Sequence, residues 1–574
     1  MLVVAPLLAF LFSISATRPL PRPALEPAFD AANAAALAAQ IAAEYPSRVP
    51  GTSEAQAAAH WYRETLAALG FGVQEDAWRE TLPDLGEVEL RNIAAVVPGR
   101  SPETILLVAH RDNAGSTRPS ADNASGTAVL VELARGFAPR QATPAPQPQR
   151  TLVFLSTDGG AYGGAGAARF ARESPHVEEA LATIVLDGPA ASARPRIALV
   201  GTKAATAART LVASAVARVE EQAAVEPRLP SLLTQLVDLG LPYAAGEQAP
   251  FVDAGVAAVT LGSEPGNDAG AGPGPTPERL EGLGRATEAL LSSLDASAGA
   301  ALQTPDSLFL GGRAASGWAA RLALVVAVAP FALGALDLLA RARRRRAPLL
   351  PAFRALRTRL LVWLSVFPLL WLAGLANVLP EGADLPPPPY TSAVVDPPLG
   401  ALLVLALVLA LVWLVGRRRL LPLEPPTGEE RLAGYAAALL ALAALAVLVA
   451  ALRPYALVFL LPSLYAWLWL PARSSTPARL VLYALGLAGP VVGLLALGGE
   501  LALGPGETLL YALALVGVGY LSSGAVLLAL AWLAVAGQLG ALAAGRYAPY
   551  AGGAEPPPPG TLRRGVAAAA RRLR

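Results

Sequence analysis

The chain has no cysteine, one methionine and three histidines among its 574 residues. Absence of cysteine excludes disulfides and thiolate chemistry, so any metal must be held by nitrogen and oxygen donors. Arginine almost replaces lysine, while alanine, glycine and proline abound. That pattern reads as a compositional bias rather than a nucleic-acid footprint, and no nucleic-acid partner is expected. The formal net charge of +2 is close to neutral, so only the placement of charge is informative.

What is abundant is apolar surface. The composition is 54% hydrophobic and the mean hydropathy is +0.47, high for a soluble protein. The chain is also too long for a single core. Six parts follow from the composition. They are an N-terminal anchor or signal segment (1–17), a proline-rich spacer (18–28), an exported globular domain (29–300), a linker (301–317), a membrane domain of about seven helices (318–545) and a basic tail (546–574).

Within 29–300, short runs rich in β-branched residues alternate with amphipathic stretches. "TILLVAHRD", "RTLVFLST", "ATIVLDG" and "VAAVTLG" read as strands, and "GTAVLVELARGF" as a helix. Such alternation predicts an α/β fold with a mainly parallel sheet covered on both faces. Ligands in such folds sit beyond the C-terminal strand ends. His110, Asp158 and Asp187 each fall at one of those ends.

Beyond Trp318 the chain reads as membrane. Apolar runs near the ~20 residues that span a bilayer cover 322–340, 360–380, 399–416, 432–452, 455–470 and 480–498, and a longer run covers 508–544. Arginines cluster in alternate loops: 341–346 with Arg354, Arg357 and Arg359, then Arg417, Arg418 and Arg419, then Arg473 and Arg479, and finally the tail. The excess of basic residues on one side places those loops and the C-terminus in the cytoplasm. The globular domain is then extracytoplasmic on a multi-pass protein of the cell membrane. With 508–544 crossing once, the spans number eight including the N-terminal anchor.

The stretch from Thr104 to Ala138 is the most informative. A buried strand leads into a loop carrying His110, Asp112 and Asp122, and a helix follows through Ser125 and Gly126. An imidazole and two carboxylates at the end of an apolar strand are what a zinc hydrolase needs there. "HRD" followed by "ADNASG", with the opening "YPSRVPGTSEAQAAAHWYRETLAALGFGV", resembles the co-catalytic zinc aminopeptidases of metallopeptidase family 28. That family includes membrane-bound endoplasmic-reticulum metallopeptidases. The resemblance runs from about Tyr45 to Asp295. It implies a three-layer zinc-aminopeptidase fold with two zinc ions sharing one aspartate.

Carried over by the resemblance, His110 and Asp187 would bind the first zinc, Asp122 would bridge, and Asp112 would orient the imidazole from behind. The other half of the site departs. Gly160 stands at the general-base position, Ala161 at the second zinc's carboxylate, and Gln248 at its histidine. Loss of the base alone removes a typical ~10²–10⁴-fold contribution to rate. Asp158 and Glu247 are the two candidate substitutes. The expected cofactor is one zinc or other divalent ion rather than a two-zinc centre. The retained residues are equally what metal-free, hydrogen-bonded strand ends would keep.

The expected function is a membrane-bound pseudo-peptidase that binds a peptide ligand or scaffolds a protein partner. One alternative is a single-metal hydrolase of peptides or related amides. Another is a transporter or lipid-handling protein with a regulatory outer domain. The bilayer is a partner in every case.

Overall fold

A computed structural model describes residues 4–115, 122–139, 147–192, 194–241, 243–244, 246–263, 275–297, 302–304, 306–376, 378–382, 384–420 and 426–546. Among these, a seven-stranded sheet is built from β1 (Val73–Leu82), β2 (Gly86–Val97), β3 (Ser101–His110), β4 (Arg150–Thr157), β5 (Ala180–Asp187), β6 (Pro195–Ala198) and β7 (Ala257–Ser263). Their order across the sheet is β1-β2-β4-β3-β5-β7-β6. The four central strands β4, β3, β5 and β7 are parallel. The edges β1, β2 and β6 run antiparallel, which makes the sheet mixed.

The continuous apolar reading of β3 has a direct cause: both its faces are buried. Ile105, Leu107 and Ala109 point into one core, and Leu106 and Val108 into the other. Helices Ala31–Glu44, Ala124–Arg135, Arg209–Ala223 and Pro277–Ala296 cover the first face, and Ala165–Glu173 and Gln248–Asp253 the second. The three layers are those that the resemblance to zinc aminopeptidases implies.

Among the described residues, six helices beyond this unit are long and apolar enough to cross a membrane: Gly317–Arg344, Leu349–Leu375, Gly428–Leu452, Pro454–Ala472, Thr476–Glu500 and Ser523–Ala543. The run 399–416 lies in helix Leu399–Leu420, and the N-terminal run holds a shorter helix, Val4–Ser13. The run 508–544 is not one continuous helix. It splits into Pro505–Gly517 and Ser523–Ala543, with Gly519 at φ +82° in the turn between them. Asp337 pairs with Arg341 (2.5 Å) and Arg344 (3.9 Å) at the end of its helix. The basic tail beyond Arg546 lies outside the described residues.

The helical part packs directly under the sheet unit. Tyr455 donates to Asp306 Oδ2 (2.9 Å) and Arg453 to the Thr202 carbonyl (3.1 Å). Between helices Leu399–Leu420 and Leu349–Leu375, the chain leaves the bundle and runs up to the sheet. Pro386, Pro387 and Pro388 in that segment are buried.

Candidate functional site

Strand register brings the site together. In β3 and β4, His110 is paired with Thr157. In β3 and β5, Val108 is paired with Val185, so Asp187 ends level with His110. Asn123 locks these ends. Its side chain donates to the carbonyls of Leu186 (2.8 Å) and His110 (3.2 Å) and accepts from Gly188 N–H (2.8 Å). The same amide oxygen caps helix Ala124–Arg135 by accepting from Gly126 N–H (3.1 Å). A Cβ at position 126 would lie 2.2 Å from that oxygen, so only glycine fits.

His110 is buried between two carboxylates. Its Nδ1 lies 3.4 Å from Asp112 Oδ1, and its Nε2 lies 3.8 Å from Asp187 Oδ1. Burial opposes a charged imidazole, but the flanking carboxylates of Asp112 and Asp187 prevail and hold its pKa well above the usual histidine value. Burial likewise opposes ionisation of Asp187, and the His110 ring with the Arg196 guanidinium (2.9 Å) outweighs it, drawing the carboxyl down to about 2. Asp112 does more than orient the ring. Its oxygens accept from Gly160 N–H (2.8 Å) and Ala161 N–H (3.0 Å), tying the loop after β4 to the loop after β3.

Asp122 is engaged by other partners than His110 and Asp187. Its carboxylate pairs with Arg48, whose side chain is wholly buried, and accepts from Ala124 N–H (2.8 Å). Arg48 also donates to the Arg111 carbonyl (2.7 Å) and to Tyr45 O. Asp158 is committed elsewhere too, accepting from Arg111 Nη2 (2.8 Å), Gly159 N–H (3.0 Å) and Arg91 N–H (3.2 Å). Burial pushes its carboxyl up to about 6 against the pull of Arg111.

Gly160 and Gln248 are equally constrained. A Cβ at 160 would lie 2.2 Å from His110 Cβ and 2.3 Å from its Cγ. The space a side chain at position 160 would need is therefore filled by the histidine itself. Gln248 accepts from Thr260 Oγ1 (2.7 Å) and donates to the Val200 carbonyl (3.1 Å), which uses its amide as a strut between elements.

Glu247 does reach the site. It lines a cavity of about 170 Å³ together with His110, Asp187 and Ala161. Thr157 Oγ1 donates to its Oε1 (2.6 Å), and its buried Oε2 has no partner among the described residues. Burial pushes this carboxyl up to about 7. Another part of the wall is Pro386 to Tyr390, from the segment between membrane helices. Tyr390 donates to the Ala161 carbonyl (2.7 Å).

Three features had no clear sign in the sequence: Arg48 as partner of Asp122, Arg196 as partner of Asp187, and the proline wall. Only the last left a signal. Four consecutive prolines read as a stiff extended segment, with nothing to say where it docks.

Residues 92–273 match the family model described as Peptidase family M28. No curated protein matches the chain. Among solved structures, a glutaminyl cyclase of Porphyromonas gingivalis is similar at 18% identity, covering 47% of this chain and 98% of that one, with a TM-score of 0.36. A leucine aminopeptidase precursor from Bacteroides thetaiotaomicron is similar at 18%, with 47% and 98% covered and a TM-score of 0.38. A putative zinc-dependent exopeptidase from Bacteroides vulgatus is similar at 20%, with 46% and 97% covered and a TM-score of 0.36.

The family match suggests a divalent metal. Of the donors present, His110 Nε2 and Asp187 Oδ1 face each other, while Asp122 is held by Arg48. Among the described residues, no group of three His, Cys, Asp or Glu side chains is arranged to hold an ion.

Proposed function

From the match of residues 92–273 to the peptidase family M28 model, we propose that this peptidase-like membrane protein binds a peptide or protein ligand without two-zinc hydrolysis. The observation that carries the reading is the packing of Gly160 against His110. A side chain able to move a proton has no room at that position, and glycine itself has none to offer. Two further facts support it. Asp122 is engaged by a buried guanidinium, and the Gln248 amide is spent on Thr260 and Val200. At most one ion is then held at His110 and Asp187. The outer unit faces away from the cytoplasm, as the arginine-rich alternate loops favour.

Metal analysis of the purified full chain in detergent, with a panel of aminoacyl-amide and peptide substrates, tests this. The expected result is one ion or fewer per chain and no turnover above buffer. Two bound ions with rapid turnover overturn it. A second reading, a hydrolase using one ion, is favoured by Glu247, whose unpartnered oxygen belongs to the same cavity wall as His110. Under that reading the panel shows a metal-dependent activity that Glu247→Gln abolishes.

A further inference from the structure

The wall formed by Pro386–Tyr390 is itself a polypeptide lying in the site, and this shows what the site accepts. We propose that the cavity beside His110 is a receptor for an extended, proline-rich peptide ending in an aromatic residue. Residues 385–390 of this chain occupy it in cis, so an outside ligand enters only when they leave. The inference rests on the reading of the outer unit as a peptide-binding module.

The chemistry of the occupant fits burial. Proline has no N–H, so a run of prolines enters a dry site without orphan donors and leaves only carbonyls to satisfy. Tyr511 donates to the Pro387 carbonyl (2.8 Å). Each fixed φ also lowers the entropy lost on docking, which is why proline-rich segments serve as ligands of aromatic-lined grooves. Here the nearby aromatics are Tyr243 and Tyr511, whose hydroxyls meet at 3.1 Å. Gly163, at φ +91°, allows the close approach: a Cβ there would lie 2.5 Å from the Pro386 carbonyl oxygen.

Three hydrogen bonds hold the outer side of the loop. Tyr390 donates to the Ala161 carbonyl, the backbone beside Gly160. Asp84 accepts from Ser392 N–H (2.8 Å) and Ser392 Oγ (2.5 Å). The Asp84 contact is exposed, and Asp84 has φ +67°, an uncommon conformation for a residue with a side chain. A solvent-exposed latch of this kind can be broken without unfolding either unit. With the loop in place the cavity is about 170 Å³, below the ~300–1,000 Å³ of sites that enclose a sizeable ligand. A peptide therefore has to displace the loop rather than join it.

The test uses the full chain in detergent and a fluorescent synthetic peptide of residues 385–392, followed by polarisation. Asp84→Ala with Tyr390→Phe releases the loop. The variant is expected to bind the peptide about tenfold more tightly than the unaltered chain, as for a site closed roughly nine-tenths of the time. The same peptide with alanine for its prolines is expected not to bind. Because the chain has no cysteine, Asp84→Cys with Ser392→Cys gives a clean second measurement. Diamide oxidises the two thiols to a disulfide in intact membranes, peptide binding falls, and a reducing agent restores it.

Failure of the thiols to cross-link, equal affinity of released and unaltered chains, or equal binding of the alanine peptide overturns the proposal. Turnover of aminopeptide substrates by the released variant would refute the non-hydrolytic reading while leaving the displaced loop intact as a gate. Absence of both binding and turnover in the released variant overturns the proposal and leaves the non-hydrolytic reading standing.

Discussion

Gly160→Ala is the sharpest probe of the proposal that position 160 has no room for a proton-moving side chain. The added methyl would sit 2.2 Å from His110 Cβ, 2.3 Å from Cγ and 2.8 Å from Cδ2. Carbon atoms rest at about 3.5–4.0 Å, so strand end and loop must part by roughly an ångström. His110 cannot simply rotate away. Its Nδ1 faces Asp112, and Asp112 is fixed by the N–H groups of Gly160 and Ala161. Moving one member therefore strains the other two. Overpacking costs about 1–3 kcal/mol, and weakening one buried hydrogen bond adds about 1 kcal/mol. For a unit of this size such a loss lowers the melting temperature by roughly 4–15 °C. Tryptophan fluorescence of the full chain in detergent reads it, with Gly72→Ala as control, since a Cβ there meets nothing within 4 Å. If Gly160→Ala melts with the unaltered protein, the position has room for a side chain. The steric argument behind the proposed function would then be wrong.

Arg48→Met removes the partner of Asp122 and should destabilise the outer unit by about 3 kcal/mol, read by chemical denaturation. The same variant should take up zinc more tightly in calorimetry, because Asp122 is released. Glu247, held near 7 by burial against an ordinary 4.5, keeps a proton that the unfolded chain gives up. Stability should therefore fall as pH rises from about 4.5 to about 7, by roughly 3 kcal/mol, and level off above. Glu247→Gln should flatten that slope in melts taken from pH 4 to pH 8. Asn123→Ala should cost about 2–4 kcal/mol by losing a helix cap and leaving buried strand-end groups unpaired, visible as faster proteolysis of the outer unit.

The order of strands and helices was legible because both periodicities are strong. β3 and β5 are apolar throughout since both faces are buried, and the helices between them are amphipathic. Convergence of His110 and Asp187 was legible for the same reason, as adjacent parallel strands end level. The antiparallel edges were not legible, because β2 pairs with β4 across an intervening strand in sequence and no local pattern marks that pairing. The run 508–544, read as a single crossing, holds two helices, of which Ser523–Ala543 alone is long enough to span a bilayer. Hydropathy registers that residues are apolar and is blind to the left-handed glycine at 519 that ends one helix before the next begins.

Side-chain partnership was the illegible layer, and Asp122 shows why. Its residue type and position relative to His110 suit a metal ligand. Its actual partner is decided by Arg48, 74 residues earlier, through desolvation. A guanidinium at 0% exposure requires a nearby anion, since breaking a buried pair typically costs about 3–5 kcal/mol. The neutral carbonyls of Tyr45 and Arg111 cannot supply that charge. Any ion recruiting Asp122 must first overcome this term, equivalent to roughly 10²–10⁴ in affinity. Asp187 is different, because its partner Arg196 is 40% exposed and water can replace the carboxylate. The two aspartates look alike in the chain, yet only one is free to change partners. The half of the site that remains responsive is therefore the His110–Asp187 side, where the proline loop lies.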